Sequence, residues 1–169
     1  MIKQKLLPPS PDQSLLKEFN MQFSNNDELE NVAKSNTCAV LISEKEAQKL
    51  CDSCAGHQKI GKHIVNLDYF YFQYIRSLLS KFGICIWAPD LEAGPGSLYN
   101  EACQTVAIMN FCQVACSGAY QYMRANLSYL IHWAYNHYVH YHMTEKFKKE
   151  IKETGKNLAD NQKGVTQQR

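Results

Sequence analysis

From Ala102 to Thr144 the sequence carries one charged residue, Arg124. Helices that are apolar over most of their circumference must be covered by lipid, by a core or by a partner. The polar content of the stretch decides against lipid. Gln104, Asn110, Gln113, Gln121, Asn126, Asn136 and four histidines fall within it, and each is costly in a hydrocarbon interior. The expectation is a buried helical pair and no membrane insertion. A second copy of the chain would cover such surfaces equally well, because obligate dimers hide comparable faces.

Helical periodicity organises this stretch and its neighbours. Ser97 predicts a cap for a helix running to about Ser117, with Leu98, Ala102, Met109, Cys112 and Cys116 on one face and Ile108, Phe111 and Ala115 on the next. Asn126 predicts the cap of a last helix, Leu127 to about Glu153, with an inner stripe of Leu127, Leu130, Ile131, Ala134, Tyr138 and Tyr141. Upstream, Tyr71, Ile75, Leu78 and Phe82 recur at helical spacing between Asp68 and Gly83, the glycine serving as a stop. The opposite side of that helix carries Phe70, Gln73, Arg76, Ser77, Ser80 and Lys81. Ser43 with Glu46 reads as a capping box for a helix from Glu44 to about Ala55. Asp12 and Asn26 read as caps of two short helices through Phe19 and Ala33, and "CAVLI" at 38–42 is too short to assign.

The fold class is therefore mainly α, a single irregular helical bundle of four to five helices with mobile termini. Residues 1–37 read as an extended or weakly helical lead-in, 38–153 as the helical domain and 154–169 as a disordered tail. A chain of 169 residues with 45% hydrophobic content suits one domain with its own core. The net charge of +2 does not by itself imply a nucleic-acid partner. The start is not expected to act as an export signal, since Pro8, Pro9 and Pro11 follow Leu6 and Leu7 directly. Seven cysteines, an odd number at irregular spacing, then read as reduced thiols in a cytoplasmic or nuclear protein.

Four stretches carry candidate chemistry. "CDSCAGHQKIGKH" places Cys51, Cys54, His57 and His63 in a C-x2-C-x2-H-x5-H pattern that can close a tetrahedral shell around zinc. Such compact spacing forces a tight wrap, and the plain alternative is two small buried cysteines with solvated histidines. "HWAYNHYVHYHM" sets Trp133, His137, His140 and Thr144 along one side of a helix, a packing flank with histidines at its wet edge or a pair of proton-handling or metal-binding groups. "AGPGSLYN" sets glycines before a helix start but lacks the lysine of a phosphate loop, so it reads as an ordinary capped loop. Lys146, Lys148, Lys149 and Lys152 make the end of the last helix basic, a solvated face or a phosphate contact. No cysteine or histidine sits in a recognised catalytic signature, and no catalytic residue or cofactor other than zinc is expected.

Over "KIGKHIV", "DYFYFQYIRSLLSKFGICIWAPDLE" and "YNHYVHYHM" the chain resembles a family of uncharacterised proteins that occur in many copies in mushroom-type fungi. The resemblance covers about residues 56 to 150. It implies an intracellular fungal setting and transfers no activity or site residue. Together the residues point to a non-enzymatic protein-interaction module whose partner is another protein or a second copy. Its expected contact residues are Phe70, Arg76 and Lys81 on one helix and Lys146, Lys148, Lys149 and Lys152 on the last. A nucleic-acid-binding regulator using that basic end is the alternative reading, and a small zinc-binding protein is the third.

Overall fold

The computed structural model describes residues 10–35, 58–60, 63–65, 69–116 and 128–153. The fold is mainly α. In chain order come α1 (Gln13–Gln22), α2 (Asn26–Lys34), the short strands β1 (Gln58–Ile60) and β2 (His63–Val65), then α3 (Tyr69–Lys81) and α4 (Leu98–Cys116). A last rod consists of α5 (Ser128–Asn136), a π-helical segment (His137–Met143) and α6 (Thr144–Lys152). The strands pair antiparallel, with Gln58 opposite Val65 and Ile60 opposite His63. The expected helix at 44–55, the run at 38–42 and both chain ends lie outside the described residues.

Local chemistry accounts for the helix boundaries. The Asp12 carboxylate accepts from the Ser14 N–H at 3.3 Å and caps α1. At α2 the Asn25 side chain accepts from the Glu28 N–H at 3.0 Å, and Glu28 reaches back to the Ser24 N–H at 2.7 Å. This reciprocal pair sets the cap one residue before the expected Asn26. Helix α3 stops where the sequence places its glycine. Gly83 has φ 65°, its N–H bonds the Ser80 carbonyl at 3.2 Å, and the Ile84 N–H bonds the Leu79 carbonyl at 3.0 Å. That is a Schellman ending, closed by the apolar contact of Ile84 and Leu79 in the same cluster.

Helix α4 is the hub because α1, α2, α3 and α5 all pack on it. Its Tyr99, Ala102, Cys103 and Val106 share one core cluster with Leu78, Leu79, Phe82 and Ile84 and with Phe19, Phe23 and Leu29. Phe19 meets Tyr99 edge to face, with ring centroids 5.2 Å apart. The core thus reaches into residues 1–37, which the sequence reading set aside as a lead-in. The reason is geometric: a helix apolar on more than one side needs cover on more than one side, and α1 and α2 supply part of it.

Between α3 and α4 an irregular loop is fixed by one buried amide. The Asn100 side chain accepts from the Asp90 N–H at 2.8 Å and donates to the Asp90 and Gly94 carbonyls at 3.0 Å each. Asp90 in turn accepts from the Glu92 and Ala93 N–H groups at 3.0 and 3.3 Å, and Ser97 Oγ accepts from the Asn100 N–H at 3.3 Å. A non-repeating loop can be buried only if its backbone polar groups are met in this way. A second cluster, Leu91 with Val139 and Met143, lies under this loop, and Trp87 packs against both clusters.

The last helix turns a different face inward from the expected one. Tyr138 and Tyr141 are exposed and Leu130 is partly so, while Val139 and Met143 are buried with Tyr135 and Phe147 packed beside them. Residues 135, 139, 143 and 147 repeat every four. At 100° per residue in an α-helix, four residues overshoot a full turn by about 40°. A π-helix, bonded from i to i+5, has more residues per turn and keeps 135, 139 and 143 in line. The Thr144 N–H bonds the Val139 carbonyl, and its hydroxyl reaches the same oxygen at 3.4 Å, closing the segment.

Four substitutions test this account. Gly83→Ala is expected to lower the unfolding free energy by roughly 1–2 kcal/mol in urea titration, the cost of placing a Cβ in the left-handed region. Gly94→Ala and Gly96→Ala, where an added Cβ meets nothing within 4 Å, are expected to show no such loss. Asn100→Ala, which strands buried loop groups, is expected to cost more than about 2 kcal/mol.

Candidate interaction face

Helices α4 and α5 leave an open apolar groove of about 660 Å³ between them. Ala107, Ile108 and Phe111 of α4 form one wall, Ile131, Tyr135 and Val139 of the rod form the other, Trp87 lies at one side, and Leu130, Ala134 and Tyr138 line the rod's margin. Gln104 Nε2 donates to Asn136 Oδ1 at 2.8 Å, tying the two helices where the π segment begins. The Trp87 indole N–H donates to the Cys103 carbonyl at 3.0 Å, and its ring meets Tyr135 edge to face at 6.3 Å.

Beside the groove stands an aromatic ridge. Trp133, His137 and Tyr141 stack in a column, with centroid spacings of 5.3 Å and interplanar angles of 6° and 9°. Helical neighbours four apart meet in this way, and the π segment carries the column on to Tyr141. Trp133 is 65% exposed, and Tyr129, Tyr138 and Tyr141 are exposed to a similar degree. No charged side chain lies on the rod before Glu145 or on α4 after Glu101. Within the column His137 stacks, offset, between Trp133 and Tyr141.

Burial shifts four titratable groups near the groove. It pushes the Cys103 thiol up to about 12, so this side chain packs as a small hydrophobe and offers no thiolate. Tyr99 and Tyr135 are likewise raised, chiefly by burial. His140 is half-buried against the Tyr135 ring at 6.1 Å, and burial lowers its pKa below the ordinary 6.5.

The residues expected to form contact surfaces are placed unevenly. Phe70 is exposed next to Tyr69 at the start of α3. Arg76, expected on an open polar face, is only 7% exposed, because α3 is buried around much of its circumference. Lys81 is half-buried and donates to the Ser35 carbonyl at 3.1 Å, tying α3 to the end of α2. That bond holds the two helices together at this end. Lys148, Lys149 and Lys152 are exposed on α6 and Lys146 is half-buried there. Cys51, Cys54 and His57 lie outside the described residues, and His63 opens β2. Among the described residues, no three His, Cys, Asp or Glu side chains gather as a metal shell would require.

Sequence reasoning marked the charge-free stretch but missed the groove. The signal that finds it is the four-residue repeat Ile131, Tyr135, Val139, Met143 and Phe147, which a 3.6-residue wheel scatters. Among the described residues no helix is long and apolar enough to cross a membrane. Compared with known proteins, the chain matches no family model, no curated protein and no solved structure. The functional reading therefore rests on the chain's own residues.

The lowered pKa of His140 has a stability consequence with a definite sign. The folded chain takes up this proton less readily than the unfolded chain, so the contribution is present above pH 6.5 and is lost as pH falls below it. Thermal or urea unfolding followed between about pH 7 and 5 is expected to show this loss in the native sequence, with a flatter profile in His140→Gln.

Proposed function

We propose that the protein is a non-enzymatic, cytoplasmic or nuclear interaction module that docks an apolar protein surface in the groove between α4 and α5. The observation that carries this reading is the groove itself, apolar along both walls and bordered by exposed aromatic side chains with no charge among them. Interface cores are depleted in charge and enriched in Tyr and Trp in the same way.

The lining also argues about the class of ligand. Its polar atoms are two tyrosine hydroxyls and the Trp87 N–H, and the last is already bonded to Cys103. A site for a polar metabolite needs convergent polar groups to orient it, which this lining lacks. The reduced, buried thiol of Cys103 and the odd cysteine count support a reducing compartment. The resemblance at about 56–150 adds a fungal setting and no chemistry.

Size analysis of the full-length chain in native cell extract tests the reading. The chain is expected to migrate above its 19.4 kDa monomer and to hold that size as salt is raised from about 50 to 200 mM. Ala134→Arg, which puts a charge at the exposed margin of the groove, is expected to return it to the monomer position. A native chain that runs as a monomer in extract overturns the reading. A complex that dissolves with salt or nuclease replaces it with a nucleic-acid partner bound through the basic end of α6.

A further inference from the structure

We infer that the partner in the groove is a second copy of this chain, docked about a twofold axis that runs between ridge and groove. The Trp133–His137–Tyr141 ridge of each copy then lies in the groove of the other. The inference rests on the reading of this face as a protein-docking surface and names what docks there.

The relief of the face is self-complementary. A ridge and a groove stand side by side on the same rod, the ridge from Trp133 to Tyr141 and the groove from Leu130 to Val139. At about 1.5 Å per residue both run roughly 12–14 Å, so a twofold rotation can seat one in the other along its whole length.

Charge separates a second copy from an unrelated partner. About a twofold axis, side chains near the axis face their own counterparts, so any charge there meets the same charge. A heterologous partner places no such demand, since it can answer a charge with its opposite. The face is free of Asp, Glu, Lys and Arg along α4 after Glu101 and along the rod up to Glu145. The mixed charges Glu145, Lys146, Lys148, Lys149 and Glu150 begin only past the ridge, where they form a rim.

The area is adequate as well. Four aromatic side chains of 150–250 Å² each, 57–69% exposed, present roughly 400–600 Å² before Leu130, Ala134 and the exposed histidines are added. That lies in the upper part of the roughly 300–600 Å² of a typical monomer's largest apolar patch, and with those residues added it approaches the ~800 Å² per partner of a standard interface.

Native mass spectrometry of the purified full-length chain, with sedimentation at about 100 μM, tests the inference at a concentration where a standard-sized interface is populated. The native sequence is expected at twice 19.4 kDa. Ala134→Arg and, separately, Trp133→Glu are expected at the monomer mass with unchanged helical circular dichroism. Because Ala134 lies at the groove margin next to the ridge, mixing Ala134→Arg with Ala134→Glu is expected to give a mixed dimer that neither forms alone. A native chain that is monomeric at this concentration overturns the inference. So does a dimer that survives both single substitutions, since it then uses another surface. If the purified chain is monomeric while the complex in extract persists, self-docking fails and the docking face stands. If both are monomeric, both fail.

Discussion

Two apolar clusters meet at the Trp87 indole, and the arrangement of the last helix depends on how that ring is held. Its N–H donates to the Cys103 carbonyl in the middle of α4, while its ring packs against Tyr135 on the rod. A buried indole N–H without a partner costs about 1–3 kcal/mol. The Cys103 carbonyl meets that demand with its second lone pair and so fixes where the ring can sit. The ring then fixes the spacing between α4 and α5. What is left between those helices is the groove, so one hydrogen bond links the main core to the shape of the candidate face.

The loop that carries Trp87 could not do this if it moved. Asn100, with no exposed surface, spends its amide on Asp90 and Gly94, and Asp90 turns the chain by taking two further N–H groups. The π segment completes the arrangement from the other side. It keeps Val139 and Met143 turned inward beneath Leu91, and it leaves Trp133, His137 and Tyr141 aligned outward. Departures from α-helical geometry of this kind occur often at functional sites. Here the departure lets one helix bury a four-residue repeat and display an aromatic column.

Much of this was legible in the sequence, and the failures have physical causes. Gly83 marked its helix end because a left-handed residue after a helix favours glycine, and Ser97 marked a helix start because its oxygen meets an early N–H. The mainly α class followed from periodicity over α3 and α4. Arg76 and Lys81 were read as a contact surface because a wheel shows only a helix's own polarity. It cannot show that the end of α2 brings the Ser35 carbonyl onto Lys81. Residues 1–37 read as a lead-in because their two short helices are weakly patterned, yet these helices supply Phe19, Phe23 and Leu29 to the core on α4. A 3.6-residue period puts Tyr138 and Tyr141 inside, and the longer period of the π segment turns them out. The scarcity of charge from Ala102 to Thr144, Arg124 apart, is visible in the sequence. Which side of those helices stays open is decided by tertiary packing, which no single helix's sequence encodes.

The two tryptophans make the most direct measurement of the central claim, that the charge-free face is covered in solution. Trp87 anchors the core and Trp133 heads the ridge. Fluorine NMR of the full-length chain labelled with 5-fluorotryptophan gives one resonance for each without altering the sequence. As concentration rises, or when the labelled chain is placed in cell extract, the account predicts that the Trp133 signal shifts and loses its solvent-isotope response while the Trp87 signal stays fixed. A Trp133 signal that keeps the response of an open surface at every concentration and in extract would contradict it.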